Sequence, residues 1–136
     1  MKYLQHFEKY QITDTDKRND TFIYYFNSPK NKYKVKISPF QGDEGFYSVG
    51  FGIMNDKYLD YDTSAIVNEN PYEVMDTVLS IAKEFADKND IKGFIFSLRG
   101  DKEKNKKRLL LYQRTISKYF PDASLNYVGG IYYIEL

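Results

Sequence analysis

Residues 91–120 read IKGFIFSLRGDKEKNKKRLLLYQRTISKYF. A nearly continuous apolar run, Ile91 to Leu98, passes through a charged loop into a segment that carries Leu109, Tyr112, Ile116 and Tyr119 on one helical stripe. The short unbroken run predicts a strand in the centre of a sheet, apolar on both faces. The stripe predicts a helix over roughly 103–120, ended by Pro121. A strand feeding a charged loop and an amphipathic helix is a common location for ligand contacts in α/β proteins.

Upstream, Asn70-Pro71-Tyr72-Glu73 has the order of a helix start, with Asn as cap, Pro at the first position and an acid in the first turn. Val74, Val78, Ile81 and Phe85 continue it at helical spacing to about Lys88. Residues 55–69 read as a polar loop. In the run before it, Tyr47, Val49, Phe51 and Ile53 share one strand face, while Ser48, Gly50 and Gly52 share the other. Small residues on one face predict something packed close there, whether a helix, a bulge or a ligand, with a helix the commonest case. Tyr33, Val35 and Ile37 alternate with Lys34 and Lys36, and Thr21 to Asn27 is aromatic and β-branched. These two runs predict a hairpin across the NSPKNK turn at 27–32. TDTDKRND at 13–20 reads as a polar connection, and residues 1–12 as a short helix or an edge strand. Downstream, 125–128 and 131–136 flank Gly129-Gly130 and predict a closing hairpin.

The order is β-β-β-α-β-α-β-β, an α+β fold with a mixed, mainly antiparallel sheet and two main helices. The 136 residues suit a single domain, 1–136, with 1–20 as an N-terminal extension on a core at 21–136. Fourteen Tyr and ten Phe without Trp suit half-buried sheet faces and binding surfaces alike. Twenty basic against nineteen acidic residues leave a net charge of +1, so nucleic-acid binding would need a local basic patch. With no cysteine, disulfides, thiol catalysis and thiolate metal sites are excluded. No apolar run reaches membrane-spanning length and MKYLQHFEKY is too polar for a signal peptide, so the expected location is cytoplasmic. Abundant Lys, Asn, Asp, Tyr and Ile fit an AT-rich coding source, bacterial or phage.

Few residues carry obvious chemistry. His6 is the sole histidine, and a packing or surface role suits it better than a triad or a metal site. Asp56, Asp60 and Asp62 share a loop without the spacing or glycine of an EF-hand, so no metal is expected. Arg99-Gly100-Asp101 reads as a strand-to-helix turn. The sharper feature is the basic cluster Arg99, Lys102, Lys104, Lys106, Lys107, Arg108, Arg114 and Lys118. With the apolar stripe inward, Lys106, Lys107, Arg114 and Lys118 would face outward, able to grip phosphates or an acidic protein face. Arg99, Lys102, Lys104 and Asn105 complete the candidate binding set.

The element order resembles the core of the GCN5-related N-acetyltransferase (GNAT) fold. NKKRLLLY at 105–112 keeps the Asn, the apolar residue and the Tyr of that family's N-x-x-A-x-x-L/F-Y helix signature, with Arg108 in place of Ala. The resemblance implies Tyr112 as general acid and acetyl-CoA as cofactor. The family's glycine-rich pyrophosphate loop should precede the helix at 71–88, where DYDTSAIVNENPYEV has no glycine and carries Asp60, Asp62 and Glu69. Residues 22–118 also resemble small domains of Bacteroidetes and of phages or other mobile elements, through Phe26 and Ser28, Val49 to Gly52, Asn68 and Asn70, Val74 to Val78, and Arg108 with Leu111-Tyr112. That resemblance implies no established activity. The expectation is a small non-catalytic accessory or regulatory protein, phage or mobile-element encoded, that binds another macromolecule. A protein partner is expected, with nucleic acid through 99–118 as an alternative. A divergent acyl-CoA-dependent N-acyltransferase is the reading from the enzyme class.

Overall fold

The computed structural model describes residues 10–54, 59–60, 71–97, 110, 113–128 and 131–136. The strands are β1 (Ile12–Arg18), β2 (Thr21–Asn27), β3 (Lys32–Pro39), β4 (Phe46–Met54), β5 (Leu59–Asp60), β6 (Gly93–Ser97), β7 (Ser124–Val128) and β8 (Ile131–Glu135). The helix α1 is Pro71–Lys88, and residues 113–119 form α2 between β6 and β7. The strands make one open sheet in the order β1-β2-β3-β4-β6-β8-β7, with β5 paired to β4. Every pairing is antiparallel except β4 with β6, so the fold is α+β with a mixed, mainly antiparallel sheet, in the element order read from the sequence.

Alternation assigns the two sheet faces. Phe22, Tyr24 and Phe26 of β2 pair with Ile37, Val35 and Tyr33 of β3, which pair with Val49, Phe51 and Ile53 of β4. These, except Ile53, together with Phe94, Phe96, Tyr132 and Ile134, make the face that joins the core cluster of α1. The helix contributes Val74, Met75, Val78, Leu79, Ile81, Ala82 and Phe85, all buried. Its solvated side carries the i,i+4 pairs Lys83–Asp87 and Glu84–Lys88, and Asn89 Nδ2 donates to the Phe85 carbonyl at 2.9 Å. Such exposed pairs contribute only about 0.3–0.5 kcal/mol each, so the apolar face holds the helix in place. From α2, Ile116 and Phe120 join the same core.

The sequence reading differs from the structure in three places. The predicted polar connection at 13–20 is largely strand β1, closed onto β2 by the Asn19-Asp20 turn with Asn19 at φ 55°. All seven residues of β1 are exposed, so it pairs through its backbone and leaves no hydrophobic alternation to read. The predicted loop at 55–69 contains the two-residue strand β5. The glycine face of β4 was expected to receive a helix, yet α1 packs on the Val49 and Phe51 face instead. Gly50 and Gly52 pair with Lys36 and Lys34 of β3 on the opposite side.

Gly93 shows how tightly the parallel junction closes. A Cβ there would lie 2.1 Å from the Ile134 carbonyl oxygen and 2.7 Å from Phe46 Cε2. The carbonyl belongs to the paired strand β8 and cannot move without breaking the ladder. Gly93→Ala should therefore destabilise by about 2–4 kcal/mol. Urea denaturation would show it as a lowered midpoint with an unchanged slope, and a midpoint within error of the parent would contradict the close approach.

Candidate functional site

Of the basic residues singled out in the sequence, the structure describes two. Arg99, Lys102, Lys104, Asn105, Lys106, Lys107 and the candidate acid Tyr112 lie outside the described residues. Arg114 is exposed. Lys118 is 56% exposed along its side chain, but its ammonium is committed: Nζ lies 2.5 Å from Asp76 Oδ1, on a carboxylate only 8% exposed. The Tyr119 phenol lies within the influence of the same carboxylate. Burial, followed by the hydrogen bond to Asp76 and its charge, pushes the Tyr119 phenol well above its ordinary range. The Asp76–Lys118 pair thus ties α2 to α1, with Tyr119 beside it, and Lys118 serves the fold as much as any ligand.

A second polar tie anchors the chain before β1. The Tyr10 N–H donates to Thr77 Oγ1 at 2.8 Å, and the Tyr10 hydroxyl donates to Glu73 Oε2 at 2.7 Å. Thr77, fully buried, donates in turn to the Glu73 carbonyl at 2.8 Å. Tyr10 also stacks on Phe26 with ring centroids 6.0 Å apart.

Two grooves flank β1, of about 500 and 460 Å³. The larger has Phe22, Tyr24 and Phe85 at its base, and Asp16, Lys17, Glu84 and Lys88 around it. Lys88 pairs with Glu84, Arg18 with Asp16, and Lys17 Nζ sits 5.0 Å from the Phe22 ring centroid. These charges answer one another and select no ligand sign. Among the described residues there is no cluster of three or more His, Asp or Glu suited to a metal, and no helix long and apolar enough to cross a membrane.

The two ends of the sheet differ sharply. On β1, Asp14 Oδ1 accepts from the Thr15 N–H and Asp16 Oδ1 from the Lys17 N–H, each at 2.8 Å. Side-chain carboxylates occupy backbone donors along that edge, and a register shift between Ile12 and Asp14 interrupts it. Charges and irregularities of this kind keep edge strands from adding a neighbour. Among the described residues no strand pairs with the outer side of β7, and that edge has none of these features. Its sequence, SLNYV, carries no charge, and it pairs with β8 over all five residues without a shift. Tyr127 is 56% exposed and Val128 63% exposed, with Leu136 close by at 48%. The sequence reading placed this hairpin but not its significance, because a strand reveals itself as an edge only when its neighbours are known.

The candidate contact surface is therefore the β7 edge, and the α1–α2 tie is structural. Stability should respond to alkali through that tie. The folded state favours the protonated Tyr119 phenol, so this contribution is complete below the unfolded pKa of about 10 and is lost as pH rises beyond it. Burial raises Tyr24 and Tyr132 in the same direction. Denaturation midpoints measured from about pH 8 to 11 should stay level and then fall, and Tyr119→Phe should flatten part of that fall. An unchanged alkaline slope in the variant would remove Tyr119 from the account. Asp76→Ala should cost about 1–3 kcal/mol at neutral pH, less than a fully buried pair because Lys118 can turn to water.

Comparison with curated protein sequences returns no match. The model of a family of unknown function, DUF6934, matches residues 6–132, nearly the whole chain, and the protein belongs to that family.

Proposed function

We propose that the protein is a small non-catalytic accessory protein that acts by binding another protein, and that the contact is made at the β7 edge. The observation that carries this reading is the contrast between the sheet's two ends. The β1 edge is closed by its own aspartates, while β7 offers an uncharged backbone edge flanked by exposed Tyr127 and Val128. An extended segment added to such an edge gains main-chain hydrogen bonds, and Tyr127 supplies a broad contact at low entropic cost. Large exposed apolar groups gathered at one edge suit a partner better than solvent.

A photo-cross-linking residue at Val128 should join a single protein of defined mass in extracts of the source cells, whereas the same residue at Thr13 should not. The captured protein, purified and titrated against the parent, should bind at least about tenfold more weakly to Val128→Lys. Equal capture from both positions, or equal affinity in the variant, would overturn the reading.

One observation favours a second reading, the acyl-CoA-dependent transferase with Tyr112 as acid. The parallel pairing of β4 with β6 covers only Phe46–Gly93, Tyr47–Phe94 and Ser48–Ile95. Beyond it, β5 pairs with Ile53 and Met54, so Val49 to Gly52 have β3 on one side and no paired strand on the other among the described residues. That gap between β4 and β6 is where the acetyltransferase resemblance would seat CoA. Titration calorimetry with acetyl-CoA at millimolar concentration discriminates: saturable heat supports the transferase, and its absence removes it.

A further inference from the structure

We infer that the protein taken up at the β7 edge is a second copy of this chain, paired antiparallel to β7 about a two-fold axis through Asn126. This rests on the proposed function and names the occupant of the same edge.

The register follows from the faces. Leu125 and Tyr127 pair with Ile134 and Tyr132, two members of the α1-side core, so both lie on the α1 side of the sheet. Ser124, Asn126 and Val128 lie on the other side. A two-fold axis perpendicular to the sheet keeps α1 on the same side in both copies and opposes only residues of like face. Centred on Asn126, it uses the full strand: Leu125 meets the second copy's Tyr127, Ser124 meets its Val128, and Asn126 meets Asn126. Aromatic–aliphatic pairs directly across a ladder are favourable, and an amide can serve as donor and acceptor to its own copy. No charge is opposed to a like charge, because β7 carries none. The Tyr127 ring already rests 4.8 Å from Tyr132, centroid to centroid, which restrains it before association.

The assembly should also stop at two. Continuing the sheet would require β1 to accept a strand, and Asp14 and Asp16 occupy N–H groups there. With one open edge per chain among the described residues, pairing uses up both edges and closes the assembly, where an open head-to-tail contact would grow into fibres. A five-residue strand is roughly 17 Å long, and its edge with the flanking side chains buries on the order of a few hundred Å² per copy. That is below the roughly 800 Å² per partner of stable interfaces. The dimer is therefore reversible and concentration-dependent.

Sedimentation velocity on the full chain, from a few micromolar to several hundred micromolar, provides the test. The parent should move from monomer toward dimer mass as concentration rises and go no further. Asn126→Lys puts two ammonium groups opposite each other at the axis, and Val128→Lys adds an exposed charge beside Ser124 of the other copy. Each should weaken dimerisation at least tenfold, with an unchanged far-ultraviolet circular dichroism spectrum. Thr13→Lys, on the opposite edge, should leave the dimer as it is. A parent that stays monomeric throughout overturns the self-pairing, while the proposed binding role is then decided by the Val128 cross-link to a protein of another sequence. Dimers that survive both β7 substitutions, or masses that grow beyond two, overturn it as well.

Discussion

The sheet depends on a junction held by very little hydrogen bonding. β4 and β6 run parallel and share three residue pairs, yet the antiparallel strands on either side must be joined through them. Phe85 closes that gap on the α1 side. Its ring lies 5.0 Å from Phe22 of β2, 5.1 Å from Tyr47 of β4 and 6.3 Å from Phe94 of β6. One side chain on the helix thus spans the junction, and such ring contacts add about 0.5–1.5 kcal/mol each beyond the area they bury. On the other face, Phe46 lies over Gly93 and meets Tyr133 of β8 edge-on at 6.1 Å. Gly93 is what leaves room for that crossing. The junction is clamped from both sides by aromatic rings.

The clamp explains where the helices sit. Phe120, just after α2, lies 5.9 Å from Phe94 and 5.8 Å from Lys83 Nζ, so the end of α2 extends the layer that Phe85 begins. The remaining freedom of α2 against α1 is limited by the Asp76 carboxylate, which receives the Lys118 ammonium. A buried carboxylate is costly without partners, and among the described residues its partner comes from the second helix. Packing brings the helices together, and the carboxylate selects their alignment.

How much of this was legible in the sequence follows from which signals are local. The bounds of α1 could be read almost to the residue because Pro71 marks its start and its apolar positions recur to Phe85. β3 and β4 were legible through alternation, β2 through its run of aromatic and β-branched residues, and the closing hairpin through its Gly-Gly turn. β1 was not, because Ile12–Arg18 buries nothing and its Asp side chains serve the backbone rather than a core. The reading of Lys118 as an outward charge was correct about its exposure and missed its commitment, because Asp76 lies forty-two residues away. The glycines of β4 pointed to a neighbour on their own face, whereas α1 lies on the Val49 and Phe51 face.

The same distinction between local and non-local signals bears on the edges. Nothing in SLNYV distinguishes an edge strand from an interior one; its status comes from the crossover that places β8 between β6 and β7. That crossover gives β8 the inner position and leaves β7, its predecessor, outermost among the described strands. The aspartates of β1 are spaced by two, which puts both on one face and lets each reach the N–H of the next residue along the same edge. A chain that spends two aspartates closing one end of its sheet, and leaves a tyrosine and a valine exposed at the other, is asymmetric in the property that governs strand addition. Ordinary solvation accounts for the first end. Under the proposed pairing the second is covered by a neighbour, and a strand without charge whose like faces match under a two-fold axis is suited to its own copy.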